Sequence, residues 1–293
     1  MSELSVTSEI YAENGYETSP ADIDNYVITT FPFFYNDTGL AVVDEDGDYC
    51  VQRKTDVKQY LKLEYCQSTT LKLVGLQIWR GAFLLADFIL HHGTELLSNR
   101  TTKSDKTSAA VLELGSGSGL TGIVAGMKFD NVICTDIDIG GILELINRNI
   151  QRNLNNIKGR VCTMELDFKK ELSEPMIKEL AKVELVIAAD VIYDNDLTEE
   201  FVKTLECIFA IPPKKTAYIT LEKRYVFTLA DLDTVAPCYE YFMECLDKAK
   251  YRSITTKQNW QITKLETNFP KYFEYDRCKE LVLLKISLHD NAH

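Results

Sequence analysis

The chain has 293 residues, of which 45% are hydrophobic and 26% are charged, a mixture typical of a globular protein with a sizeable core. Its formal net charge of −12 argues against a nonspecific nucleic-acid binder and is compatible with a basic protein partner. The sequence has no run of 18 apolar residues, no signal-peptide pattern at its N-terminus and no CxxC pair among its eight cysteines. We therefore expect a monomeric intracellular protein, in the cytoplasm, the nucleus or both, with free thiols and without a metal, a membrane span or direct nucleic-acid binding.

The first 75 residues divide into two segments by composition. Residues 1–24 are polar and acidic with almost no core-forming side chains, which predicts a disordered tail. Residues 25–75 contain short strand-like stretches, which predict a small β-rich extension. Within it YVITTFPFFY is predicted as a strand, and LAVVD and YCVQRK flank the turn DEDGD as a hairpin. TLKLVGLQIW, which ends at Trp79, is predicted as a further strand.

Strands and helices alternate regularly in residues 76–293. Helical spacing marks residues 80–97, and a polar loop follows at 98–108. Apolar runs then predict seven strands, at residues 109–115, 131–136, 160–167, 183–190, 214–223, 259–266 and 280–288. Helical patterns separate the earlier strands, and the last helix is predicted at 231–248.

Strand–helix alternation implies right-handed crossovers, and buried parallel strands are unbroken apolar runs. We therefore predict one Rossmann-like α/β domain with a seven-stranded, mostly parallel sheet, an antiparallel last strand and helices on both faces.

The first of these strands ends in ELGSGSG, which places Gly115, Gly117 and Gly119 at alternate positions, with Ser116 between the first two. Ligands of open α/β sheets lie beyond the carboxyl ends of the strands, and the backbone amides of this turn face that region. A nucleoside triphosphate is disfavoured, because a P-loop needs a lysine after its glycines and none follows here. A dinucleotide remains compatible with the GxGxxG pattern that begins at Gly117, and Asp136 lies where a ribose-binding acid is expected.

Glu113, two residues before the turn, favours a different nucleoside. A buried acid is costly without a partner, and it would repel a pyrophosphate but attract a ligand with a positive end. S-adenosylmethionine has a sulfonium and an amino group and lacks phosphate. We expect Glu113 to serve its methionine end and Asp136 to accept hydrogen bonds from both ribose hydroxyls. Asp167 is expected to reach the adenine amino group, with Phe168 packing beside it.

Each of these acids also has a purely structural interpretation. Glu113 could tie down its own turn, Asp136 could cap the helix that begins after Gly140 and Gly141, and Asp167 could cap the helix that follows it. We least expect that all three acids have only structural roles, because three acids would then meet at one edge of the sheet without a ligand.

The motifs ELGSGSG, CTD, ELDF and AADVIYD, with IWRGA upstream, resemble those of the seven-strand protein-lysine methyltransferases. The resemblance covers about residues 70–250 and implies a lysine ε-amine as acceptor and S-adenosylmethionine as donor. It implies that Trp79 lies on the adenosine side and that Ala189 leaves room for the cofactor. The acidic-x-x-Tyr motif of this family begins here at Asp190 and ends at Tyr193.

The resemblance also sets the expected chemistry. Methyl transfer from a sulfonium is an in-line displacement, so the protein has to position the reactants, exclude water and provide a neutral amine. A free lysine has a pKa of about 10.4, so a proton leaves before attack. We expect Asp190 to orient the amine and Tyr193 to line the lysine channel, while the proton acceptor stays open between them and water. Tyr193 also fits a packed core aromatic, and Phe168, where tryptophan is common, is expected to alter packing only.

Two other functions remain compatible with these residues. A metal-free small-molecule methyltransferase would use the same turn, and a non-catalytic protein could bind S-adenosylmethionine or a partner through it. An adenine or glutamine methyltransferase is disfavoured, because ADVIYD lacks the Pro-Pro pair of that motif. If the acceptor is a protein, we expect it to present a basic, lysine-containing surface to this acidic chain.

Overall fold

A computed structural model describes residues 5–13, 15–35, 58–97, 109–228, 233–256 and 258–288. The predicted hairpin around DEDGD and the predicted loop at 98–108 lie outside the described residues. The elements follow in this order along the chain: β1 Ser5–Val6, α1 Ile10–Glu13, β2 Thr18–Pro20, β3 Tyr26–Phe34, β4 Lys58–Cys66, β5 Thr69–Thr70, a 3-10 helix Leu71–Leu76, α2 Arg80–Leu96, β6 Ala110–Leu114, α3 Leu120–Gly126, β7 Asn131–Asp136, α4 Ile142–Arg152, β8 Arg160–Glu165, α5 Glu174–Leu180, β9 Val183–Ala189, α6 Asn195–Ala210, β10 Thr216–Glu222, β11 Val226–Thr228, β12 Asp233–Val235, α7 Pro237–Thr255, β13 Trp260–Leu265 and β14 Leu281–Leu288.

The central sheet has seven strands in the order β13-β14-β10-β9-β6-β7-β8. Five consecutive strands, from β10 to β8, run parallel, and β14 is antiparallel to both of its neighbours. Along β6 the buried side chains alternate between faces: Val111 packs in a core with α2, α3 and α4, and Leu112 packs in a core with α5, α6 and α7. The predicted fold class is therefore confirmed, and burial on both faces explains why these strands are continuous apolar runs.

A second, three-stranded antiparallel sheet has the order β2-β3-β4. Alternate side chains of β3, Phe31 and Phe33, are buried, as the period of two in a strand requires. Phe31 meets Phe83 of α2 edge to face with ring centroids 5.4 Å apart, and Phe33 stacks on Phe273 at 4.9 Å. The β-rich extension thus shares one core with the central domain, and a domain boundary at residue 75 stays a prediction.

The described part of residues 1–24 is ordered, which differs from the predicted disordered tail. β1 pairs with β5, and α1 buries Ile10. Tyr11 stacks on Tyr65 with ring centroids 4.8 Å apart, and its hydroxyl accepts a hydrogen bond of 2.9 Å from the Ile78 amide. A few apolar side chains spaced among polar ones hold this segment, so its average composition does not indicate the order.

The stretch TLKLVGLQIW, predicted as one strand, forms β5 and then the 3-10 helix Leu71–Leu76. A short apolar run fits a buried strand and a buried helical turn equally well, so periodicity does not separate them. The helix lies against the glycine turn: a Cβ on Gly117 would lie only 2.7 Å from the Gly75 carbonyl oxygen. The last helix also differs, since it begins at Pro237, a residue favoured in a first turn, and ends at Thr255.

By length and composition alone, the stretch Leu71–Gly93 could cross a membrane. Within the protein, however, 72% of its most apolar window is buried. The stretch is also two helices, because Gln77 and Trp79 between them are extended. A core helix meets the same criterion, so this stretch is weak evidence for a membrane span.

Candidate active site

A cleft of about 530 Å³ opens at the carboxyl ends of β6, β7, β8 and β9, within the size range of small-molecule sites. Residues from the glycine turn, the strand ends, the 3-10 helix and the start of α6 line it. Most of the predicted site residues are among its lining: Trp79, Glu113, Gly115, Ser116, Gly117, Asp136, Asp167, Phe168, Ala189, Asp190 and Tyr193. Gly119 alone of the predicted set is not in the lining, and its role is to begin α3.

The glycine turn, residues 115–119, depends on left-handed backbone angles. Gly115, Gly117 and Gly119 have φ of 65°, 53° and 81°, which side-chain-bearing residues rarely adopt. A Cβ on Gly115 would lie 2.5 Å from a methyl group of Val191. The Ser116 amide donates to the Thr135 carbonyl of β7 at 2.9 Å, which fixes the turn to the neighbouring strand. The backbone therefore approaches the cleft more closely than any side chain would allow.

Asp136 ends β7 at the centre of the cleft. Its Oδ2 accepts from the Gly117 amide at 2.7 Å, and its Oδ1 accepts from the Ile137 amide at 2.8 Å. Burial raises the pKa of this carboxyl to about 6, and the two amide bonds oppose that rise. The carboxylate holds the glycine turn, and each oxygen keeps a second lone pair that can accept from a ribose hydroxyl.

Glu113 is buried directly beneath the turn. A Cβ on Gly122 would lie 2.5 Å from its Oε2, so the first turn of α3 accommodates the carboxyl only because a glycine stands there. Burial raises the pKa of Glu113 to about 7, against the opposing effect of Ser116, Cys134 and Thr121. Glu113 Oε2 and Ser116 Oγ are both buried without a hydrogen bond of normal geometry to the described residues. Buried unpaired polar atoms that face a cleft are typical of groups that bind a ligand.

Asp167 and Phe168 form the wall beyond β8. The Lys169 amide donates to Asp167 Oδ1 at 3.0 Å, and Lys170 Nζ lies 3.7 Å from its Oδ2. Phe168 meets Phe201 of α6 edge to face with centroids 5.3 Å apart. Asp167 thus caps its own turn and lines the cleft, whereas the following helix α5 is capped by Ser173, which differs from the structural interpretation of Asp167. Its contact with an adenine stays a prediction.

The Trp79 side chain has a fixed orientation. Its Nε1 donates to the Val74 carbonyl at 3.0 Å, and the Arg224 guanidinium lies 4.7 Å from the centre of a ring. The 3-10 helix and the loop after β10 therefore set the position of Trp79 jointly. The sequence analysis assigned no role to either partner of Trp79.

Asp190, directly after β9, has a left-handed φ of 53° and joins two distant elements. Its Oδ2 accepts from the Gly81 amide of α2 at 2.6 Å, and its Oδ1 accepts from the Glu222 amide of β10 at 3.0 Å. Thr220 Oγ1 donates to the Gly81 carbonyl at 2.8 Å, which strengthens the same junction. Burial raises the pKa of Asp190 to about 6, with Arg224 opposing. The sequence analysis predicted that this carboxylate orients an amine. It did not predict that the carboxylate connects α2 to β10.

Tyr193 is half-buried in the cleft wall. Burial raises the pKa of its hydroxyl to about 12, and the charges of Asp136 and Asp194 add to the rise. The hydroxyl is therefore protonated at neutral pH and can donate a hydrogen bond but cannot act as a base. Asp194 Oδ1 accepts from the Leu197 amide at 2.9 Å and caps α6.

The sequence missed an apolar side of the cleft. The 3-10 helix contributes Leu71 and Val74, and the segment after Asp136 contributes Ile137, Ile139 and Ile142. The pattern DIDIGGIL does signal alternate isoleucines after a strand-end acid, which is the available clue. Among the described residues, no group of three or more His, Cys, Asp or Glu side chains is placed to hold a metal.

Comparison with known proteins identifies the family. A family model described as "Lysine methyltransferase" matches residues 58–268. The chain belongs to the lysine methyltransferase family. This confirms the family indicated by the sequence motifs, and S-adenosylmethionine is the cofactor of such methyltransferases.

Several curated proteins are similar to this chain. Methyltransferase-like protein 22 of Mus musculus is 34% identical over 79% of this chain and 60% of its own length. The Homo sapiens protein of the same name is 33% identical over 77% of this chain and 57% of its length. Protein-lysine N-methyltransferase EFM6 of Saccharomyces cerevisiae is 31% identical over 49% of this chain and 61% of its length. The chain thus spans about 60% of the relatives it matches. The fragments IWRGAFLLADFIL, DVIYDNDLTEEFVKTL and LEKRYVFTLADLD predict a similarity to methyltransferase-like protein 22, and the comparison confirms that similarity.

Proposed function

We propose that this protein transfers a methyl group from S-adenosylmethionine to a lysine ε-amine of a protein substrate. The observation that carries the proposal is the meeting of two sets of residues in one cleft. The glycine turn and Asp136 form a nucleoside site, and Asp190 and Tyr193 of the acidic-x-x-Tyr motif lie beside it. Relatives named as protein-lysine N-methyltransferases support the same function.

The donor site fits S-adenosylmethionine better than a dinucleotide. The orphaned Glu113 Oε2 and Ser116 Oγ are buried beside the turn, where a carboxylate suits a positive ligand and repels a pyrophosphate. Asp136 would bind the ribose, and Ile137, Ile139 and the wall at Phe168 would enclose an adenine. When bound, the cofactor would supply an activated methyl group for in-line displacement by the amine.

We infer that the acceptor residues position an amine, and that Tyr193 does not remove its proton. Tyr193 stays protonated because its pKa is raised to about 12. Both carboxylate oxygens of Asp190 already accept backbone hydrogen bonds, which leaves one lone pair on each for an ammonium or amine. We infer that the amine loses its proton to water before it enters, and that the protein selects the neutral form by excluding water.

The substrate is proposed to be a protein with a basic, lysine-containing surface. The chain carries a net charge of −12, and Asp194 and Asp196 lie in the lining of the cleft near Tyr193. These charges attract a cationic segment toward the site. We further propose that the protein works as a monomer in the cytoplasm, the nucleus or both, and that it does not contact nucleic acid.

Labelled methyl transfer tests this function. The full chain is incubated with methyl-labelled S-adenosylmethionine and a cell extract, with Asp136→Ala as the inactive control. Label in discrete protein bands, recovered as methyl-lysine after hydrolysis, is the expected result. Label only in the small-molecule fraction would support the rival methyltransferase. Cofactor binding by calorimetry without any transfer would support a non-catalytic binding protein.

A further inference from the structure

Asn149 of α4 contacts both the N-terminal sheet and the glycine turn. Its Oδ1 accepts from the Glu64 amide of β4 at 2.7 Å, and its Nδ2 donates to the Glu64 carbonyl at 2.8 Å. The same Nδ2 donates to the Ser118 carbonyl at 2.9 Å. Asn149 is fully buried, and Ser118 is 4% exposed, so neither group has water as an alternative partner.

The contact with β4 fixes this side chain. Asn153, one helical turn later, pairs with the amide and the carbonyl of Lys62 at 2.9 and 2.7 Å in the same manner. Arg148 and Arg152 both form ion pairs with the buried Glu64 carboxylate. The edge of β4 is therefore paired with side chains of α4 where another strand would otherwise bind, and Asn149 has a single orientation available.

The contact with Ser118 reaches the cofactor site in two steps. Ser118 stands between Gly117 and Gly119, whose left-handed backbones give the turn little stability of its own. The Gly117 amide in turn binds Asp136 Oδ2 at 2.7 Å. A shift of the Ser118 carbonyl would therefore move the amide that orients the Asp136 carboxylate.

We propose that Asn149 is a positioning residue for S-adenosylmethionine, which holds the glycine turn in its binding geometry by bridging it to β4. The β-rich extension thereby contributes to cofactor affinity without touching the cofactor. This inference rests on the proposed function only in its choice of cofactor. It gives the N-terminal sheet a role that composition and motif did not indicate.

The test compares Asn149→Ala with Asn153→Ala in the full chain. Both changes remove one amide that pairs with β4, but only the first removes the donor to Ser118. We expect Asn149→Ala to raise the dissociation constant for S-adenosylmethionine about five- to thirtyfold, the effect of one lost buried hydrogen bond. Asn153→Ala is expected to change it less than twofold, while both variants melt at similarly lowered temperatures. With a methyl acceptor in hand, the KM for the cofactor should rise while kcat at saturation changes less than twofold.

Equal weakening by both variants, or wild-type affinity in Asn149→Ala, would overturn the proposal. If Asn149→Ala shows no cooperative unfolding, Asn149→Asp replaces it, since that side chain keeps the acceptor for the Glu64 amide and lacks the donor to Ser118. Asn149→Asp that melts cooperatively should show the same loss of affinity, and wild-type affinity in this variant would also overturn the inference. Failure of the wild type to bind S-adenosylmethionine would instead refute the proposed function, so the two failures are distinguishable.

Discussion

Asp136 and Asp190 stand at the ends of two parallel strands of one sheet, and each accepts two backbone hydrogen bonds. Asp136 bonds to amides 1 and 19 residues away, so it organises a local turn. Asp190 bonds to amides 109 and 32 residues away and joins α2, β9 and β10. Burial raises the pKa of both to about 6. Two acids that are equivalent in sequence position therefore serve different purposes: Asp136 holds the glycine turn, and Asp190, which lines the same cleft, connects the framework.

The largest expected effect is on cofactor affinity at Asp136, where a substitution should change binding much more than stability. Asp136→Ala should weaken S-adenosylmethionine binding at least about a hundredfold, because the two hydrogen bonds from the ribose hydroxyls to the charged carboxylate are lost. The melting temperature should change little, since the bonds from the Gly117 and Ile137 amides, which are also lost, are local. Isothermal calorimetry and thermal unfolding measure the two quantities.

The matched control for Asp136 is Asp138→Ala, an exposed acid two residues later that does not line the cleft. Its affinity should equal that of the wild type. Retained binding in Asp136→Ala would show that the ribose lies elsewhere.

The next largest effect concerns the junction made by Asp190. Gly81→Ala would push a methyl group into the Asp190 carboxylate, which two hydrogen bonds hold in place. The free energy of unfolding should fall by about 2 kcal/mol, although Gly to Ala usually stabilises a helix. Denaturant unfolding measures this change.

Gly93→Ala in the same helix is the control for Gly81. The three atoms nearest to a Cβ there are carbons of the Lys128 side chain at 3.2 Å, so a shift of a few tenths of an ångström accommodates it and the change should cost much less than Gly81→Ala. Equal stability of both variants would mean that Asp190 moves readily and that the junction is not a firm one.

The third prediction concerns Tyr193, which lies on the side of the cleft where the lysine acceptor is proposed to bind. Tyr193→Phe removes one hydroxyl and keeps the ring, so the affinity for S-adenosylmethionine should stay within twofold. The kcat for lysine methylation should fall about tenfold if the hydroxyl aligns the amine. Steady-state assays with a labelled donor give both values. An unchanged kcat would leave Tyr193 with the role of a packed aromatic.

The smallest effect is the pH dependence of cofactor binding. Asp136 accepts from two hydroxyls only when ionised, and its raised pKa of about 6 means that protons compete below that value. Loss of the ionised Asp136 alone should lower the affinity about fourfold between pH 7.5 and pH 5.5, and Glu113, whose pKa is raised to about 7, should add to the fall. Asp136→Asn should bind weakly and keep only the part of the dependence that Glu113 contributes, and a wild-type affinity that is constant with pH would contradict the assignment.

The stability of the cofactor-free protein should change in the opposite direction. A carboxyl whose folded-state pKa is raised contributes stability that is present below its unfolded pKa and is lost as pH rises through the folded value. Asp136, Asp190 and Glu113 are all raised, the last to about 7, so the melting temperature should decrease from pH 4 to pH 7.5. Asp136→Asn should show a flatter profile.

Several parts of the structure could be predicted because their signals are local. The strands β6, β9 and β10 are apolar runs because both of their faces are buried, and each strand meets that requirement through its own residues. Asp136, Asp167 and Asp190 could be placed in one cleft because parallel strands end at one edge. The 3-10 helix Leu71–Leu76 and the order of α1 could not, since both depend on distant partners.

The sequence by itself determined the Rossmann-like sheet, the glycine turn and the acids around it, because strand burial and left-handed backbone angles restrict which residues can stand at each position. Only the tertiary structure decided which acid holds the glycine turn and which connects distant elements of the framework. That choice depends on backbone amides such as those of Gly81 and Glu222. Every residue except proline has such an amide, so the sequence does not show which ones are used. The bridge from Glu64 through Asn149 to Ser118 was set in the same way, by the packing of α4 between two distant backbones.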